Sequence, residues 1–265
     1  MSVGGVAGAA GAAGARAGGA GAAGAAGRAG APTRRERQRR ETLAEIKALA
    51  VDQVAAGGAE SVSLNAIARA MGMSPAALYR YFASRDALLA ELVADAYGSL
   101  ADALQQAVAG AAEGAGRLVA VAHAYRDWAL AHPNSYLLIF QTQSGSGLDL
   151  EPERTVAAAQ RSMDVFLDAL GGAAPGQAAP DGAAPGEAGG GQLSPELARQ
   201  VEAWGQRSQT PGLAAGQLYL GLLAWTRLHG LISLELGQHL PATGVDPALL
   251  YDAEVQSLVR RARLS

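Results

Sequence analysis

Between Ser63 and Arg85 the chain reads SLNAIARAMGMSPAALYRYFASR, and the residue types in it suit contact with nucleic acid. Ser74, Ala76 and Ala77 are small, so a helix that begins with them can lie close to base edges. The alanine methyls can then pack on thymine methyl groups. Tyr79 and Arg80 cannot both be core residues when Leu78 and Phe82 are. An outward Arg80 suits a phosphate oxygen better than a base, and phosphate contacts position a protein without reading sequence. Tyr81 divides between core packing and a hydrogen bond donated to phosphate. Upstream, the run RRERQRR from Arg34 to Arg40, with Arg37 in it, can graze a DNA backbone or follow a minor groove as an N-terminal arm does. The alternative for that run is a solvated charged face, and Glu36 and Glu41 weaken its positive character.

A second group of residues suits an apolar pocket. Tyr125, Trp128 and His132 lie at i, i+3 and i+7, hence on one helix face; Tyr136 and Phe140 pair at i, i+4; Trp225, His229 and Ile232 share a third face. Aromatic rings with a few polar tips are what a pocket with oriented hydrogen bonds needs. The same stripes also describe ordinary core, and a histidine such as His229 can simply satisfy a buried hydrogen bond. Other chemistries find no support. His123, His132, His229 and His239 show no pairing with carboxylates at close helical spacing, so no metal site is expected. There is no cysteine, which excludes disulfides and thiolate ligands. No nucleophile motif and no phosphate-cradling glycine loop after a strand is present. The expectation is a protein that is not an enzyme and carries no cofactor. An all-helical enzyme with an appended DNA-binding domain would need a convergent acid, base or nucleophile set that the chain lacks.

The elements that must position these residues are helices, since apolar residues recur at three and four and strand-like alternation is absent. Leu64, Ile67, Ala68 and Met71 give the inward stripe of one short helix. Gly72 sits where the chain must reverse, and glycine tolerates the left-handed backbone that ends a helix there. Ser63 caps the first helix of this pair; Ser74 caps the second, with Pro75 in its first turn where a missing N–H costs nothing. This is a helix-turn-helix, whose second helix is shaped to enter the major groove. Before it, a helix over about 35–56 faces Leu43, Ile46, Leu49, Ala50 and Val54 inward. After it, helices are expected from the cap Ser84 to about 109, about 117–131, 133 to near 143, and 152–171, the Gly114-Ala115-Gly116 stretch breaking the chain and SGSGLDL forming a loop. A short helix to about 208, a long one that Pro211 precedes and that runs to about 237, and a last one from Asp246-Pro247 to near 262 complete the list.

The stretch from about Arg37 to Leu92 resembles the DNA-binding end of the TetR/AcrR family of bacterial transcriptional regulators. The resemblance rests on the helix LAEIKALAVDQVAAGG, the helix-turn-helix, the LYRYF signature at Leu78–Phe82 and the following SRDALLAEL. A weaker resemblance covers the C-terminal half. AWTRLHGLISLELGQHL and YRDWALAHPNSYLLIF look like the WHG-type ligand domain of one branch, named for a Trp, a His and a Gly that here are Trp225, His229 and Gly230. The resemblance implies an all-α fold, an N-terminal three-helix helix-turn-helix domain joined to a larger C-terminal helical bundle. It also implies that Tyr79 lies at the groove, that Ser63 bonds phosphate besides capping, and that Arg85 grips the backbone. Against these stand a Tyr79 packed on the fourth helix, a Ser63 that only caps, and a solvated Arg85. The expected function is a homodimeric, ligand-released repressor on a pseudo-palindromic operator, with double-stranded DNA and a small apolar or amphipathic ligand as partners. Helices about 213–236 and 247–262 would join the two subunits. A DNA-binding regulator without a small ligand, its C-terminal body serving dimerisation or a protein partner, is the alternative.

Charge agrees with that division. Residues 33–90 hold nine Lys/Arg against six Asp/Glu, and residues 91–265 hold ten against eighteen, although the whole chain of 265 residues is only −3. A basic end on an acidic body suits a specific DNA binder. Residues 1–32 are almost wholly Gly and Ala and read as a disordered tail rather than a signal peptide; residues 171–193 read as a flexible Gly/Ala/Pro-rich loop. The domains are therefore expected at 33–90 and 91–265. No stretch reads as a membrane span, because Arg227, His229 and Glu235 interrupt the most apolar window, and a cytoplasmic protein is expected.

Overall fold

The computed structural model describes residues 33–141, 152–172, 193–207 and 213–263. The Gly/Ala tail, the SGSGLDL loop and nearly all of the loop at 171–193 lie outside the described residues. Within them, all regular structure is helical.

Two units are distinguished, the first ending at Arg39. Its described residues open α1 (Arg34–Gly57). The backbone N–H of Thr33 donates to Glu36 Oε2 at 2.6 Å, and that of Glu36 donates to Thr33 Oγ1 at 3.2 Å. This reciprocal pair satisfies two helix-end donors and starts the helix there.

The second unit, from Arg40 on, contains the rest of the fold. α1 presents Ile46, Ala50 and Val54 to the core, and α2 (Leu64–Ala70) presents Leu64, Ile67 and Ala68. Gly72 takes φ 64°, and the Met73 N–H reaches back to the Ala68 carbonyl at 2.9 Å, closing the helix end. Ser74 Oγ then accepts from the Ala77 N–H at 3.2 Å and opens α3 (Pro75–Tyr79), which buries Leu78. Ser84 Oγ does the same for α4 (Arg85–Ala109), accepting from the Ala87 N–H at 3.0 Å. α3 ends at Tyr79, so Arg80 and Tyr81 stand in the turn between two capped helices. The chain still coils there, as Tyr81 N–H donates to the Leu78 carbonyl at 2.8 Å.

α4 is buried along most of its length, from Leu88 to Leu104. It packs on α5 (Ala115–Ala131), α6 (Pro133–Gln141) and α7 (Pro152–Gly171). α9 (Ala215–Leu236) packs on α7, α8 (Pro195–Gly205) and α10 (Pro247–Ala262). Some expected boundaries move, each for a local reason. α5 begins at Ala115, because Gly114 alone takes the positive φ, 71°, and Gly116 continues the helix. α8 ends at Gly205, and Gln206 caps it with its N–H on the Glu202 carbonyl; Gly205 leaves room for Leu218 of α9. The long helix starts at Ala215, beyond Pro211 and within two residues of the expected 213, where the Gln217 side chain accepts the Ala214 N–H at 3.0 Å and places the cap. α6 is described to Gln141, so its expected end near 143 lies outside the described residues.

Candidate functional site

The helix-turn-helix presents its expected residues in two ways. Tyr79 is 47% exposed while its neighbour Leu78 is fully buried, so the tyrosine ring stands on the outer face of α3. Ser74, Ala76 and Arg80 are exposed and Ala77 is half-buried, which leaves a shallow surface of small side chains flanked by Tyr79 and Arg80. Tyr81 is half-buried and packs against the core, with Phe82 buried beside it. Ser63 is exposed; its Oγ accepts from the Ala66 N–H at 3.3 Å, and its own N–H donates to Gln53 Oε1 at 2.7 Å. Arg85 is half-buried at the start of α4, with Nε 3.4 Å from Asp86 Oδ1. Arg37 is exposed within the first unit.

α1 is tied to α4 by ion pairs. Lys47 Nζ on α1 donates to Glu91 Oε1 at 2.9 Å and to Asp95 Oδ2 at 2.6 Å, both on α4. Burial pulls the Lys47 ammonium down, but its hydrogen bonds to Asp95 and Glu91 and their negative charges outweigh it and hold its pKa above the ordinary value. Two residues further along α4, Tyr97 enters a different environment. Tyr97, Leu100 and Leu104 form one wall of an apolar cavity of about 90 Å³. Ala159, Ser162, Met163 and Phe166 of α7 form the opposite wall, and Tyr125, Phe140 and Trp225 close it.

Beside the cavity the aromatic side chains converge on His229. Its ring lies 4.4 Å from Phe140, stacks on Tyr136 at 5.5 Å, and stacks on Trp225 at 5.7 Å. His229 Nδ1 lies 2.8 Å from Tyr136 Oη and 3.3 Å from Tyr125 Oη. Tyr136 Oη also lies 2.8 Å from Ser233 Oγ, and its hydroxyl reaches the His229 carbonyl at 3.1 Å. Burial lowers the His229 pKa and keeps the imidazole neutral; burial likewise raises Tyr125 and Tyr136, which keep their protons. The centre therefore carries hydrogen-bonding groups but no charge.

Sequence spacing placed Tyr125, Trp128 and His132 on one face, and the structure divides them. Trp128 is buried, donates from Nε1 to Ser99 Oγ at 3.0 Å, and stacks on His132 at 5.6 Å. These two line a separate open groove with Gly98, Ser99 and Asp102 of α4. The reason is geometric. Trp128 is turned about 60° from Tyr125 around α5 and displaced about 4.5 Å along it, enough for one to face α9 and the other α4. The α4 and α7 walls escaped the sequence reading. Tyr97, Leu100 and Leu104 do carry the i, i+3, i+7 signature, but most of α4 is apolar on that side and nothing marks a wall from a packed interior. Among the described residues, no group of three His, Cys, Asp or Glu side chains could hold a metal ion, and no helix is long and apolar enough to cross a membrane.

Comparison with known proteins places both halves. The family model of bacterial regulatory proteins, tetR family, matches residues 46–92. The model of the tetracyclin repressor-like C-terminal domain matches residues 118–258. The HTH-type transcriptional regulator Rv1816 of Mycobacterium tuberculosis is 33% identical over 229 residues, covering 84% of this chain and 94% of that protein. A solved structure of SCO4313, described as a regulatory protein, is 39% identical with a TM-score of 0.69, covering 85% of this chain and 98% of that one. FadR from Bacillus subtilis, solved in complex with stearoyl-CoA, is 15% identical with a TM-score of 0.52 over 82% of this chain and 97% of its own, a likeness of fold alone.

Proposed function

Since the chain belongs to the tetR family of bacterial regulatory proteins, and is thereby a DNA-binding transcriptional regulator, we propose that it acts as a homodimeric repressor released from its operator by a small ligand. The observation that carries this reading is that one helix serves both sites. α4 holds Lys47 of α1, the helix before the helix-turn-helix, through Glu91 and Asp95, and supplies Tyr97, Leu100 and Leu104 to the cavity. A ligand that prefers one setting of α4 would shift the population of DNA-competent dimers by its differential affinity for the two states.

In this reading Ser74, Ala76, Ala77 and Tyr79 face base edges, and Arg37, Ser63, Arg80, Tyr81 and Arg85 meet phosphate. α9 and α10 join two subunits, placing two copies of α3 in successive major grooves. A role on chromosomal DNA puts the protein in the bacterial cytoplasm. Tyr125, Tyr136, Phe140, Trp225 and His229 surround the ligand site, whereas Trp128 and His132 belong to the α4 groove and act, if at all, through α4. The small size of the cavity favours a second reading, a regulator that takes no small ligand and whose body serves dimerisation or a protein partner.

Footprinting of the purified protein on the DNA upstream of its own gene tests the DNA-binding part. We expect protection of two half-sites about one helical turn apart. If the dimer neutralises about six to ten phosphates, log affinity should fall with log salt at a slope of roughly −5 to −9. A flat salt response would rule out this mode. A compound screen for release from the footprinted DNA separates the ligand-responsive reading from its alternative.

A further inference from the structure

We propose that the cavity between α4 and α7 takes an uncharged, ring-sized apolar molecule that directs one hydrogen-bonding atom at the Tyr125 hydroxyl. This rests on the ligand-responsive reading above and narrows it to a chemical class.

Charge is excluded by the lining. Among the described residues, no Lys, Arg, His, Asp or Glu side chain lines the cavity. Asp102 and Arg161, on the two helices that form its walls, pair with each other at 2.6 Å on exposed ground. A carboxylate or ammonium entering the cavity would lose its water and gain no counter-charge. The neighbouring His229 is neutral at physiological pH, so it offers none either.

Size follows from volume. The cavity holds about 90 Å³, less than the apolar cavity of about 150 Å³ that accepts benzene. A single ring enters once one wall yields. Met163 is the wall suited to yield, being unbranched and only half-buried. The other walls are aromatic: Tyr97 meets Phe140 edge-on at 6.3 Å, and Phe140 meets Tyr125 edge-on at 6.5 Å. Such rings favour a flat apolar guest.

The polar anchor follows from hydrogen-bond capacity. A neutral imidazole Nδ1 offers either one lone pair or one N–H and serves one partner well. Tyr136 Oη holds that atom at 2.8 Å and is fixed further by Ser233, whereas Tyr125 Oη stands at 3.3 Å and bonds the Tyr136 hydroxyl besides. Ser162 spends its hydroxyl proton on the Ala159 carbonyl of its own helix, at 2.8 Å. Tyr125 thus holds His229 at the longer distance and stands on the cavity wall, so its hydroxyl is one for which a ligand atom can compete. A ligand atom that takes its hydrogen bond also perturbs His229 on α9, the helix assigned above to the subunit interface.

The test uses the full chain and four probes matched in ring size: toluene, 4-methylphenol, 4-methylbenzoate and 4-methylbenzylamine. Binding is read by tryptophan fluorescence and by the shift in Tm, and release by DNA retention. 4-Methylphenol should bind at least about tenfold more tightly than either ion, in line with the cost of burying an unpaired charge. Tyr125→Phe should narrow the gap between 4-methylphenol and toluene by several-fold. Equal binding of 4-methylphenol and toluene to the unaltered protein would overturn the Tyr125 anchor without any variant. If either ion binds as tightly as 4-methylphenol and releases the protein from DNA, the ligand class is wrong while the ligand-responsive reading stands. If no probe binds and none releases DNA, the cavity proposal is overturned and the regulator without a small ligand is favoured.

Discussion

His229 shows how much a single side chain can organise once its neighbours are known. Tyr136 bonds it from α6, Tyr125 from α5, and Trp225 stacks on it from its own helix one turn back. Burial disfavours the imidazolium, so the folded pKa lies below the ordinary 6.5. The unfolded chain then binds a proton at His229 as pH falls through about 6.5, while the folded chain stays neutral until a lower pH. In that window the unfolded state holds more protons, so stability declines as pH falls. Urea unfolding at pH 7.5 and at steps below 6.5 should show this decline. His229→Gln, which has no proton to bind there, should show a shallower one; equal slopes in the two proteins would remove His229 as the cause. That this residue would be half-buried and neutral was open in the sequence, where a ligand contact and a satisfied core histidine were both consistent with its spacing.

At the scale of elements, serine caps and left-handed glycines such as Gly72 and Gly114 do most of the punctuation. Ser63, Ser74 and Ser84 each accept a first-turn N–H, at 3.3, 3.2 and 3.0 Å. These residues were readable in advance because capping depends on side chains within four positions. Contacts between helices are different in kind. Gly221 in α9 lies against Leu167 and Leu170 of α7, so closely that a Cβ there would collide with Leu167. Nothing in the local sequence distinguishes this glycine from Gly216 or Gly230, where a Cβ would meet open space. Gly221→Val should therefore overpack the α7–α9 contact and cost about 1–3 kcal/mol, whereas Gly230→Ala should not lower stability. Thermal unfolding of both variants checks this; a fully stable Gly221→Val would show that α7 moves aside freely.

For the whole molecule, the decisive property is whether two copies act together. Leu234 on α9 and Leu249 on α10 are 43% and 68% exposed in the single chain, on the helices proposed to join subunits. Large apolar side chains on such a surface suit an interface with a second copy. The paired variant Leu234→Glu, Leu249→Glu should run as a monomer by light scattering. It should also lose at least about tenfold in operator affinity, since two half-sites no longer share one binding event. A variant that remains a dimer of full affinity would move the interface elsewhere.

The division between what local chemistry determines and what tertiary packing decides is sharp in this chain. The helical fold, the caps and the turn at Gly72 follow from periodicity and from residues a few positions apart, because those signals act over one or two helical turns. The pairing of Tyr125 with His229, 104 positions along the chain, does not. Nor does the parting of Trp128 from Tyr125, which depends on α4 and α9 flanking α5 on different sides. The cavity walls on α4 and α7 belong to the same class. A wall and a packed core have the same composition, and only the distance between two helices separates them.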